Sequence, residues 1–130
     1  MLRAKFAAPA VFALFCLFLS ASAASAQSTT YYSYCYMGPY GGSNYYSEVF
    51  PLVVRSSSAT PTGEDKSAAV NPARAGFMRD VDKKYSLMRP RSTSTCPLFS
   101  TMASAAADKK KLEAEYAKMD YKIIETGWKP

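Results

Sequence analysis

The chain has 130 residues, 48% of them apolar, and 16 basic against 10 acidic side chains give a net charge of +6. That is the composition of a folded, modestly basic protein. It holds no histidine, which excludes Ser-His and Cys-His nucleophile pairs and leaves metal binding without its commonest ligand.

The first residues read as an address. Arg3 and Lys5 form a positive n-region, residues 11–19 (VFALFCLFL) an apolar core, and Ala24-Ser25-Ala26 a small-residue cleavage site. This is the pattern of a secretory signal peptide over residues 1–26, with cleavage expected before Gln27. The apolar run is short for a bilayer span, so no stable membrane insertion is expected after cleavage. Phe15 stands before Cys16 where a lipobox needs a small residue, which argues against a lipid anchor. Removing residues 1–26 leaves 104 residues with a charge of +4, enough for one domain at 27–130. The expected location is the periplasm or outside the cell, and an exported chain has no occasion to meet nucleic acid.

Residues 27–30 are a polar lead-in. Residues 31–37 (YYSYCYM) alternate as a strand with Tyr32, Tyr34 and Tyr36 on one face and Tyr31, Ser33, Cys35 and Met37 on the other. Residues 38–44 (GPYGGSN) read as a turn, and residues 45–50 as a second strand ended by Pro51, with Leu52-Val53-Val54 as an edge continuation. The two strands suit a hairpin. Residues 56–70 (SSSATPTGEDKSAAV) are small and polar and predict a flexible loop. Asn71 then serves as N-cap and Pro72 as first residue of a helix whose apolar face is Phe77, Met78, Val81 and Tyr85. Arg74, Arg79, Asp80, Lys83 and Lys84 face water. Ser86-Leu87-Met88 reads as a short strand.

The C-terminal part is the clearest. Residues 94–128 give a strand or turn carrying Cys96, a long helix, and a strand over residues 121–126 leading to Gly127-Trp128. Met102, Ala105, Lys109, Leu112, Tyr116 and Met119 recur at helical spacing, with Ser100 or Thr101 as N-cap. Lys109 interrupts that stripe but can lay its alkyl stem along it. Lys109/Glu113 and Lys111/Glu115 are spaced for weak pairs on the outer surface.

Cys35 and Cys96 are the two cysteines left after processing, and in an oxidising compartment one disulfide between them is expected. Their wide spacing is not that of a redox-active pair. No phosphate-binding loop is present, the carboxylates scatter over solvent faces, and no cofactor is implied; the chain does not read as an enzyme. Seven of the ten tyrosines fall within residues 31–46. They can serve as an aromatic platform or as cross-strand packing, and both readings stand open. The candidate ligand face is Tyr32, Tyr34, Tyr36 and Trp128. Trp128 is expected to pack as a hydrophobic lid, with ligand stacking as the alternative.

Leu98-Phe99-Ser100-Thr101, running into the alanine-rich helix and closing strand, resembles the second half of a SPOR domain over residues 94–126. That resemblance implies a βαββαβ fold and binding to peptidoglycan. The sequence departs from the family at Cys96-Pro97-Leu98-Phe99, where Gly-Pro-Phe is frequent, and no glycan contacts carry over. The ending Glu125-Thr126-Gly127-Trp128-Lys129-Pro130 resembles the ends of small uncharacterised exported bacterial proteins.

The sequence thus predicts an α+β fold, a small antiparallel sheet of about four strands with two helices on one face and one disulfide. It suggests a non-enzymatic exported protein that binds peptidoglycan or another envelope glycan. The alternative is a secreted protein–protein factor such as a hydrolase inhibitor.

Overall fold

A computed structural model describes residues 26–86 and 93–130. The expected signal peptide (but for Ala26) and most of the short strand at residues 86–88 lie outside the described residues. Among the described residues the fold is α+β, with two helices, six strands and one disulfide.

Strand β1 (Gln27–Ser33) pairs antiparallel with β4 (Phe50–Ser56) over its whole length, from Gln27↔Ser56 to Ser33↔Phe50. The polar lead-in is therefore strand: Thr29, Thr30 and the following tyrosines suit a pleated, half-covered surface. Pro51 is tolerated because β4 is an edge strand in the order β4-β1-β5. Strand β5 (Leu98–Phe99) adds two pairs on the other side of β1, Tyr32↔Phe99 and Ser33↔Leu98.

The tyrosine run does not continue as one strand. It breaks at Tyr34-Cys35 and resumes as β2 (Tyr36–Tyr40), which pairs with β3 (Ser43–Tyr46) in a second sheet. Gly41 and Gly42, with φ of 58° and 79°, make the two-residue hairpin turn, whose positive φ angles glycine adopts without a Cβ clash. Strand β6 (Lys122–Glu125) lies parallel to β3, giving the order β2-β3-β6. The strands thus form two three-stranded sheets where the sequence suggested one of about four.

Helix α1 (Gly63–Tyr85) starts eight residues before Asn71, so half of the expected loop is helix. The missed signal is a capping box. Thr62 Oγ1 accepts from Asp65 N–H, and Asp65 Oδ2 accepts from Thr62 N–H at 2.8 Å and from Ser56 Oγ at 2.8 Å. Pro72 sits inside the helix rather than at its start; burial of Ala73, Phe77 and Val81 offsets its missing N–H. Helix α2 (Met102–Lys118) begins at Thr101, whose hydroxyl accepts from Ser104 N–H, as expected.

The helices meet opposite side-chain sets of the second sheet rather than sharing a face. Tyr45 rings against Tyr85 of α1, and Met37 and Ile124 join the same cluster with Phe50, Phe77 and Val81. Their strand neighbours Tyr46 and Glu125 point the other way, toward Glu113 and Lys109 of α2. Strand alternation dictates this division: a residue and its successor cannot serve the same helix.

Candidate functional site

The Cys35–Cys96 disulfide forms where β1 and β5 lie side by side, joining residues 61 positions apart. Backbone bonds reinforce the junction: Tyr36 N–H donates to Thr95 O, and Thr95 N–H to Tyr36 O, each at 2.9 Å.

The three tyrosines proposed as a ligand ribbon are not one exposed face. Tyr34 is 0% exposed; its ring stacks on Phe99 and its hydroxyl donates to Asp108 Oδ2 of α2 at 2.6 Å. Burial first, then that hydrogen bond, push the Tyr34 hydroxyl well above its ordinary pKa. Tyr36 is partly covered, between Tyr34 and Tyr46, and Tyr32 is partly covered within β1. The reason is α2, which roofs the face that the sequence left open. Tyr40 packs against the apolar cluster beside β2.

Trp128 packs as a lid over the apolar cluster. Glu48 N–H donates to Trp128 O at 2.9 Å, Trp128 N–H to Thr126 Oγ1, and Thr126 Oγ1 to Tyr46 O. Lys84 Nζ, on α1, donates to Thr126 O at 3.1 Å. These bonds lay the C-terminal segment across α1, where the indole meets Phe50 edge-on at 5.8 Å and Phe77 at 5.7 Å. Gly76 permits the approach, because a Cβ there would stand 3.0 Å from the indole.

Beside the indole runs an open groove of about 590 Å³, within the size range of small-ligand sites. Ala69, Pro72, Ala73 and Gly76 supply small apolar groups along one stretch of α1, with Leu52 of β4 nearby. One turn further on, Arg79, Asp80 and Lys83 continue the wall, and Lys129 closes the rim. Asp80 is paired with Lys84 at 3.1 Å and Lys129 with Glu48 at 3.9 Å, so Arg79 and Lys83 leave the local balance cationic. An aromatic and apolar floor with basic groups at one end suits a ring-containing ligand that carries carboxylates. Sequence reasoning assigned Arg79 and Lys83 only to water and missed the groove, since the C-terminal segment that completes it is far away in the chain.

The carboxylates also regroup. Glu113 of α2 and Glu125 of β6, twelve positions apart, lie against one another, with Lys109 Nζ 2.8 Å from Glu125 Oε2 and 3.8 Å from Glu113 Oε1. Burial, then the neighbouring Glu125, push the Glu113 carboxyl up to about 7. Such contact is too close for the water-spaced or nucleophile-spaced pairs of glycosidases. Among the described residues, no group of three or more Cys, Asp or Glu could hold a metal ion, and no helix is long and apolar enough to cross a membrane.

No protein-family model matches this chain, and neither the curated proteins nor the solved structures yield a significant match.

Proposed function

We propose that the protein is an exported, disulfide-locked, non-enzymatic binding module whose ligand is a carboxylate-bearing envelope glycan such as peptidoglycan. The observation that carries this reading is the Trp128 groove, which joins an aromatic wall to Arg79, Lys83 and Lys129. Sugar rings present apolar C–H faces to an indole, and the carboxylates of peptidoglycan suit the basic rim. The resemblance of residues 94–126 to a SPOR half supports the same ligand class, and the signal-like residues 1–26 support the envelope as its place. The groove replaces the tyrosine ribbon as the binding face, since Tyr34 is covered. The protein–protein alternative relied on tyrosines offered outward, and Tyr40 packs inward instead.

The test is co-sedimentation of the oxidised protein with intact peptidoglycan sacculi, beside an Arg79→Glu/Lys83→Glu/Lys129→Glu variant. All three side chains are exposed, so the variant is expected to keep the fold, and Trp128 fluorescence checks that the C-terminal segment stays in place despite the lost Lys129–Glu48 pair. The expected result is salt-sensitive binding that the variant loses. No sedimentation of the parent above background rejects the glycan reading; equal sedimentation of both proteins rejects the groove as its site.

A further inference from the structure

A second cluster, apart from the groove, lies where α2 meets the strands. Helix α2 buries one side chain completely, Ala105, and contributes nothing to the apolar cluster beneath α1. Met102 and Met119, the ends of its apolar stripe, are 53% and 61% exposed. Its attachment is largely polar and aromatic: Tyr34 to Asp108 at 2.6 Å, Lys109 to Glu125 at 2.8 Å, and Tyr116 edge-on to Tyr121 at 5.8 Å.

Glu113 stands at the middle of this seam. Lys109 approaches it from α2, Glu125 from β6 and the wholly buried Tyr46 from β3, with Tyr116 beside Tyr46. Asp108, a turn away, is engaged by Tyr34. Among the described residues, neither the Tyr46 hydroxyl nor Glu113 Oε1 has a protein hydrogen-bond partner. Two carboxyls in contact cannot both ionise without repulsion, and the single Lys109 ammonium is nearer to Glu125 than to Glu113.

We infer that the seam between α2 and β6 is a proton-operated latch, closed while Glu113 carries a proton beside Glu125 and loosened when Glu113 is charged. The direction follows from linkage. The closed seam keeps a proton that a solvated glutamate, with an ordinary value of 4.5, releases, so protection is fullest below that value. It declines as pH rises to about 7, where the closed seam too gives up the proton. Opening uncovers Tyr34, Tyr36 and Tyr46, the aromatic layer that α2 roofs.

The test is amide hydrogen exchange of the oxidised protein between pH 5 and pH 8, corrected for the intrinsic pH dependence of exchange, beside Glu113→Gln and Glu125→Gln variants. In the parent, the opening constant of α2 and β6 amides is expected to rise roughly tenfold per pH unit up to the folded value and then level off. Amides of α1 should show no such slope. Glu113→Gln, a permanent stand-in for the protonated acid, should abolish the slope. Glu125→Gln removes the opposing charge and should move the slope down toward ordinary carboxylate pH. A flat parent profile, a slope shared equally by α1, or a slope unchanged in both variants overturns the latch; if Glu113→Gln does not fold, the parent profile and Glu125→Gln decide.

Discussion

Replacing Cys35 and Cys96 together by alanine should be among the costliest changes this chain can suffer. The closed loop spans 61 positions and contains β2, β3, β4 and α1, hence Phe50, Phe77 and Val81 of the apolar cluster. Opening a loop of that length returns about 4 kcal/mol of conformational freedom to the unfolded chain in the chain-entropy treatment. Both sulfurs are also buried, so their loss removes packing as well. Domains of this size are typically stable by about 5–15 kcal/mol, so the variant should retain a much reduced margin or none. Urea unfolding at fixed pH, followed by Trp128 fluorescence, measures the difference. The freed unfolded chain is less compact, so the urea dependence should steepen as the midpoint falls. A loss below about 1 kcal/mol with an unchanged slope would refute the reasoning, because it would mean that the link restricts little that is not already restricted.

Two further substitutions probe the strand layer. Tyr34→Phe removes a buried hydroxyl bonded to a carboxylate at 2.6 Å and should cost about 2 kcal/mol, read as a lower urea midpoint; a neutral result would show that Asp108 does not hold α2 down. Gly38→Ala places a Cβ 2.6 Å from Asn44 Oδ1 and 2.8 Å from Ser43 O, on backbone with φ of 125°. About 3 kcal/mol of destabilisation is expected from the combined clash and strain, and a melting temperature within a degree or two of the parent would contradict it.

The second helix, its threonine cap and the closing strand were legible because a periodic stripe and local side-chain chemistry specify them without help from distant residues. The cysteine pair was legible because only two cysteines remain after residue 26. The start of α1 was present in the sequence as Thr62 and Asp65 but was masked by Pro72, a residue that begins helices more often than it sits within them.

What the chain alone could not reveal are the meetings of remote side chains. Strand alternation predicted that Tyr34 and Tyr36 share a side, but whether that side meets water depends on where α2 comes to rest, and α2 is attached through Asp108 and Lys109 rather than through a deep apolar stripe. Trp128 was recognisably a packing residue, yet its groove exists only because Glu48, Thr126 and Lys84 hold the C-terminal segment across α1. Glu113 and Glu125 read as solvated in the linear sequence; packing of β6 against α2 brings them together around Lys109 and shields Glu113, while Glu125 stays half exposed. Local propensity and capping act within a few residues and can be read from the chain; burial and charge proximity are properties of the packed structure, and here they decide both candidate sites.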